Sequence, residues 1–204
     1  MTTVRAEPTA PDPLAGLARR AAAGEPEAAR GLLGAVAPHV LRVVRQILGR
    51  DHPDQEDLVQ EALLGTLQAL PRFRGDCSTL HFVLRIGLLT ALNARRRFQL
   101  REQLAPRDAD TDTEALPGHE ASPAEALDAS RRRALFAALL DELPAAQAEA
   151  LALHCVLGCT VAETAALAGV PLNTARGRIV AAKAALRSRL TIDPVARDLF
   201  RGAS

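Results

Sequence analysis

Four clusters in the sequence hold side chains able to do chemistry. Five carboxylates and no Lys or Arg stand within residues 51–61: Asp51, Asp54, Glu56, Asp57 and Glu61. Seven arginines follow within 72–101 (Arg72, Arg74, Arg85, Arg95, Arg96, Arg97 and Arg101) against the single acid Asp76. Five bases and no acid occupy 171–190: Arg176, Arg178, Lys183, Arg187 and Arg189. The fourth cluster is His154, Cys155 and Cys159. Imidazole and thiolate suit zinc, but no fourth donor lies near, Gly158 falls between the cysteines, and Cys often packs as a small hydrophobe. No metal and no cofactor is expected. The sequence carries no G-x-x-x-x-G-K phosphate loop and no G-x-G-x-x-G after a strand, and nothing arranges a His and an Asp around Ser78. The chemistry on offer is recognition rather than catalysis: an acidic surface for one partner and basic surfaces for another.

The elements that must carry these groups are helices. Carboxylates at Asp54–Asp57 suit the exposed N–H groups and positive end of a helix that runs to Leu70. Pro71, Gly75 and Asp76 break it. Ser78 or Thr79 can cap a second helix, which ends in Arg95–Arg97, the sign favoured at a helix C-terminus. Composition agrees. Of 204 residues 48% are hydrophobic and only 2% aromatic, with Ala and Leu carrying the apolar content, so an all-α protein is favoured on propensity. The net charge of +1 conceals blocks of opposite sign.

Upstream, residues 1–13 read as a disordered lead-in with Pro8, Pro11 and Pro13. A short helix is predicted from Leu14 to Ala23, stopped by Gly24, and another from Pro26. Pro38 is expected to start or kink a further segment, whose apolar face is Val40, Leu41, Val44, Ile47 and Leu48. Gly49 suits its end. No secretory leader is visible, and the most apolar run, Phe82–Leu92, is far short of the roughly 20 residues that span a bilayer. No membrane insertion is expected, and a cytoplasmic location follows. Three cysteines do not suggest a disulfide framework.

Residues 102–125 hold seven acids against Arg107 alone, with Pro106, Pro117, Gly118 and Pro123. Such a segment cannot bury enough surface to fold by itself, so it reads as a tether. The predicted organisation is therefore two small helical domains, 14–101 and 124–190, joined by a flexible acidic linker over 102–123. Within the second, helices are expected at 124–143 and Ala145–Leu157. Thr160 with Glu163 forms a capping box, Gly169 allows a left-handed turn, and Pro171 pre-sets a last helix buried through Ala175, Ile179, Ala182 and Leu186. This is a helix-turn-helix pattern. Asn173, Thr174 and Arg176, beside Leu172, would read base edges. Arg178, Lys183, Arg187 and Arg189 would hold phosphates, which position without specifying.

The ordered blocks E-D-L-V-Q-E (Glu56–Glu61), L-P-R-F-R-G (Leu70–Gly75), L-R-I (Leu84–Ile86) and Arg95–Arg97 resemble region two of a bacterial sigma factor, nearest the two-domain extracytoplasmic-function class. D-E-L-P (Asp141–Pro144) followed by Gly158–Ile179 resembles region four. The resemblance implies that Asp54, Glu56, Asp57, Leu58, Gln60 and Glu61 dock on core RNA polymerase. It implies that Arg72, Phe73, Arg74, Arg85, Arg95, Arg96 and Arg97 engage the proximal promoter element, while the helix-turn-helix reads the distal one. An unstacked base needs a stacking or apolar surface, and Phe73 and Phe82 are the aromatics of 71–97, Phe82 reading as core. An anti-sigma factor is an implied third partner. The linker acids, Asp108, Asp110, Asp112 and Glu114 among them, could stand in for RNA phosphates in a polymerase channel. The chain departs from the family at Phe82, where a Trp is usual, at Gly87-Leu88-Leu89 in place of Ala-Arg-Asn, and at Val180-Ala181-Ala182, where bases are common. Two rival readings are a stand-alone helix-turn-helix regulator and a sigma mimic that titrates an anti-sigma factor.

Overall fold

The computed structural model describes residues 12–50, 52–104 and 123–192. Asp51, both chain ends and 105–122, with most of the acidic tether, lie outside the described residues. Among the described residues the chain is helical and contains no strand, as the Ala- and Leu-rich composition implies. The helices are α1 (Ala15–Ala22), α2 (Pro26–Leu48), α3 (Gln55–Ala69), α4 (Thr79–Leu104), α5 (Pro123–Glu142), α6 (Ala145–Cys155), α7 (Val161–Ala168) and α8 (Leu172–Ile192), with a 3-10 turn over Leu70–Arg72.

Helix α2 is a single element. Pro38 sits inside it rather than at a break, which corrects the expectation that it starts a new segment. A proline in a helix interior removes one hydrogen bond and costs about 3 kcal/mol. Here the apolar stripe Leu32, Val36, Val40, Val43, Val44 and Ile47 continues in register across it, all buried, and burying each large aliphatic side chain returns about 1.5–3 kcal/mol. By length and composition α2 could cross a membrane, but that stripe is the centre of the core, packed by α1, α3 and α4.

Helix α4 lies against both α2 and α3. Its start is capped twice. Ser78 Oγ accepts from His81 N at 3.2 Å, and Asp12 Oδ2 accepts from Thr79 N at 2.7 Å, across 67 residues of chain. A Cβ at Gly87 would stand 3.0 Å from Val40 Cγ1, so α2 and α4 approach closely there. Beside it Leu88 is fully buried. Positions 87 and 88 therefore serve packing, and a polar group at 88 would not face solvent in this arrangement.

The C-terminal half forms from α6, α7 and α8, with α5 alongside. Local rules hold closely here. Thr160 Oγ1 accepts from Glu163 N and Glu163 Oε2 accepts from Thr160 N, completing the capping box. Gly169 takes the left-handed conformation at φ 65°. Ala175, Ile179 and Ala182 are buried. The two halves are also packed on each other: one apolar cluster runs from Val44, Leu88 and Leu92 through Leu140, Leu151 and Leu153 to Leu167. Helix α4 touches α6 and α7, and α2 touches α5.

Candidate functional site

The acidic surface sits on α3. Asp54, Glu56, Asp57, Gln60 and Glu61 are exposed, and Glu56 and Asp57 occupy the first turn, where negative charge opposes the helix dipole favourably. Leu58 is different. It is 5% exposed and belongs to the core, because it shares the inward stripe with Ala62 at a four-residue step. It supports the surface from beneath and offers no docking contact, which corrects its place among the docking residues. Sequence reasoning passed over two neighbours. Leu64 is 60% exposed and follows Asp57, Gln60 and Glu61 at three- and four-residue steps, adding an apolar group to that face. Gln55 is buried. Its side-chain amide accepts from Arg45 Nε at 2.9 Å and donates to the carbonyls of Gly49 and Arg50, tying the end of α2 to the start of α3. Nothing in a lone Gln among acids signals that role.

The predicted proximal-element arginines fall into two sets. Arg72, Arg74 and Arg97 are exposed and Arg96 is half-buried; Arg97 Nη2 lies 3.8 Å from Glu61 Oε2, a solvent-screened pair of small value. Arg85 and Arg95 instead face the C-terminal half. Arg85 Nε and Nη2 donate to Glu149 Oε1 at 3.0 and 2.8 Å. Arg95 Nε donates to Asp141 Oδ1 and Oδ2 at 2.9 and 2.8 Å, and Gln99 donates to the same carboxylate. Phe73 and Phe82 stack on each other, with ring centroids 4.5 Å apart and planes inclined by 29°. One face of Phe73 is thereby occupied.

On α8 the expected readers Leu172, Asn173, Thr174 and Arg176 are all exposed. Arg187 and Arg189 are exposed, and Arg178 and Lys183 half-buried. Val180 is 60% exposed, so the apolar residue at that position lies on the surface. Arg189 Nη2 pairs with Glu142 Oε1 at 3.1 Å, which ties one of the expected phosphate contacts back to α5.

His154 Nδ1 lies 2.8 Å from the Cys159 carbonyl oxygen, a bond that holds the α6–α7 turn. Burial, then Glu163 and Cys77, push the buried Cys159 thiol up to about 11. Burial, then Asp76, Glu163 and Asp12, push Cys77 to about 11 as well, with Arg85 opposing. Thiols so shifted carry little thiolate near neutral pH, and thiolate is the metal-binding and nucleophilic form.

Comparison with known proteins meets this geometry at both ends. Residues 32–101 match the family model for Sigma-70 region 2, and residues 133–186 match that for Sigma-70 region 4. The ECF RNA polymerase sigma factor SigD of Mycobacterium tuberculosis is 33% identical over 167 residues, covering 76% of this chain and 74% of its own. The chain belongs to the sigma-70 family. Its relatives place it in the extracytoplasmic-function group. The RNA polymerase sigma-H factor of Pseudomonas aeruginosa is 30% identical over 181 residues, 80% of this chain and 87% of its own. Among solved structures, CnrH in complex with the cytosolic domain of CnrY aligns with a TM-score of 0.54 at 25% identity, covering 87% of this chain and 96% of that one. RpoE from Bartonella quintana, solved with the anti-sigma factor NepR, shares the fold with a TM-score of 0.52 at 24% identity. In this sigma factor, region 2 comprises most of α2, all of α3 and most of α4, and region 4 runs from within α5 into α8.

Proposed function

We propose that this sigma factor docks on core RNA polymerase through the exposed side of α3, with Asp54, Glu56, Asp57, Gln60, Glu61 and Leu64 in contact. It reads the distal promoter element with the N-terminal turns of α8. Asn173 and Arg176 each have the donors and acceptors for paired base contacts, and Arg178, Lys183 and Arg187 hold phosphates. Arg72, Phe73, Arg74, Arg95, Arg96 and Arg97, with Arg85, engage and open the proximal element. The protein carries no reaction of its own and works in the cytoplasm. An anti-sigma protein is its proposed regulator, as the structure of the similar RpoE holds NepR.

The observation that carries this reading is the division of α8. Its small apolar residues Ala175, Ile179 and Ala182 are buried, while Asn173, Thr174, Arg176 and Arg187 stand outward. That arrangement presents a polar, basic helix start to a groove. Run-off transcription with core polymerase on a promoter library tests the whole reading. Selective initiation from a two-part promoter is the expected result. DNA binding without retention on core polymerase would favour a stand-alone regulator, and retention of neither would favour a sigma mimic.

A further inference from the structure

Residues 72–78, which carry three of the groups proposed to meet the proximal element, are fastened at both ends to a part of the chain that the proposed function leaves unused. At the first end Leu70 is buried in the core, Phe73 N–H donates to the Leu70 carbonyl at 3.0 Å, and α1 packs on the 3-10 turn of Leu70–Arg72. At the second end the Thr79 N–H that opens α4 donates to Asp12 Oδ2 at 2.7 Å. Asp12 stands three residues before α1, and its Oδ1 accepts from Leu14 N–H at 3.0 Å. One carboxylate therefore sets the start of α1 and the start of α4 together. Between the two fastenings Arg74, Gly75 and Asp76 are exposed, so the ends of the segment decide where its middle stands.

Neither end is held by local forces alone. A helix of eight residues is too short to persist in water by itself. Helix α1 is kept in place because Ala18 is buried and Leu14, Leu17, Ala21 and Ala22 pack against the core. At the start of α4, Ser78 Oγ is engaged by the His81 N–H and Thr79 is fully buried, so the Thr79 N–H depends on Asp12. A buried N–H left without an acceptor costs free energy, and the first turn relieves that cost by unwinding. Unwinding frees the end of the segment and disturbs Phe82, which lies in the first turn of α4 and stacks on Phe73. We infer that Asp12 is a positioning residue for promoter opening: through Thr79 it holds 72–78 between α1 and α4 and so fixes where Arg72, Phe73 and Arg74 meet the proximal element. This rests on the reading of those three residues as DNA contacts. The sign of the effect is distinctive. Removing an acid that merely lies near DNA strengthens binding by lowering repulsion of phosphates, whereas removing Asp12 weakens it.

Asp12→Ala and Asp12→Asn, each in the full chain and assembled with core polymerase, test this. One probe is a fork-junction DNA with an unpaired proximal element, built from a promoter selected in the run-off library. A duplex carrying only the distal element is the second probe. Ala35→Gly, at an exposed interior position of α2, weakens the same half of the chain through helix propensity alone. The expected result for Asp12→Ala is about tenfold weaker fork binding, the fall that loss of one such cap can produce, with distal-duplex binding and retention on core polymerase unchanged. Asp12→Asn keeps one acceptor oxygen and is expected to fall between Asp12→Ala and the native protein. In the free protein, hydrogen exchange at the amides of 79–82 should quicken while α3 keeps its protection. Tighter fork binding overturns the inference, as does a loss no greater than that of Ala35→Gly or an equal loss on both probes. If Asp12→Ala does not fold, Asp12→Asn carries the same comparison. Arg72→Ala with Arg74→Ala separates the two possible faults. Undiminished fork binding by that pair would remove the reading of the segment as a DNA contact, and the inference with it. Diminished binding by the pair beside native binding by Asp12→Ala would mean that the segment meets DNA without needing Asp12.

Discussion

Arg95 and Asp141, 46 residues apart in sequence, form a two-point ion pair in which Arg95 Nη2 comes within 2.7 Å of Asp141 Oδ2. The arginine belongs to region 2, and the acid opens the D-E-L-P stretch at the end of α5 in region 4. Because the pair is mostly shielded from solvent, it is worth more than an exposed pair of the same geometry. A double-mutant cycle with Arg95→Ala and Asp141→Ala is expected to be non-additive, with a coupling of about 1 kcal/mol or more in denaturant unfolding. Additive effects would mean that the two side chains do not act on each other in solution.

Leu58 and its acidic neighbours should separate cleanly in a stability and binding comparison. Leu58→Ala removes a core side chain and is expected to cost about 2–5 kcal/mol. Charge reversal at Asp57 and Glu61 changes exposed groups, so it should stay within about 0.5 kcal/mol of the native stability and yet weaken retention on core polymerase. Thermal unfolding and co-purification read the two effects. Equal retention by the reversed protein would remove α3 as the docking face.

On α8, Asn173→Ala and Arg176→Ala are expected to relax discrimination at single base pairs of the distal element by about 1–3 kcal/mol each. Arg187→Ala should lower affinity alike on all sequences and reduce the salt slope by about one phosphate. Binding measured against a set of single-base variants distinguishes them. A uniform loss from all three substitutions would show that α8 does not read bases.

The region 4 capping box makes stability depend on acid. The hydrogen bond from Thr160 N–H holds the Glu163 carboxyl below its ordinary value; burial opposes this, and the Thr160 hydroxyl and His81 add to it. A carboxyl depressed in the folded state stabilises fully above its unfolded value of 4.5, and that contribution is lost as pH falls through the lower folded value. Glu163→Gln should therefore flatten the fall of melting temperature on the acid side of about pH 4.5. Thr160→Ala should cost about 1 kcal/mol at neutral pH. An acid limb as steep as that of the native protein would show that another carboxyl controls it.

Asp12 gives a second acid-sensitive contact, this one long-range. Burial pushes its carboxyl up, but hydrogen bonds from Thr79 and from the Leu14 N–H outweigh that and hold it low. Asp12→Ala leaves the first N–H of α4 without its cap, and a loss of about 0.5–2 kcal/mol is expected in denaturant unfolding. Stability equal to that of the native protein would mean that Ser78 alone suffices.

Much of region 4 could be read along the chain because the forces that shape it act over three or four residues. Thr160 reaches Glu163, Gly169 turns the backbone, and Ala175, Ile179 and Ala182 recur on one face whatever lies beyond. The order of the acidic, basic and helix-turn-helix blocks was equally legible, since it carries the family's motifs. The continuation of α2 through Pro38 was not legible locally, because the cost of the proline is fixed by covalent structure, whereas the gain that offsets it comes from the packing of α1, α3 and α4. Leu58 was misplaced by a motif that names neighbours without saying which side of the helix each takes. The partners of Arg85 and Arg95 could not be read at all. An arginine presents the same guanidinium to a phosphate, to water or to a carboxylate, and its choice depends on which chain segment crosses α4 at that point. That crossing is set by apolar burial between Leu88, Leu92, Leu140 and Leu151, which is non-directional and long-range. The sequence by itself determined which charges this sigma factor carries and on which helices. Only the tertiary structure decided which of them face one another.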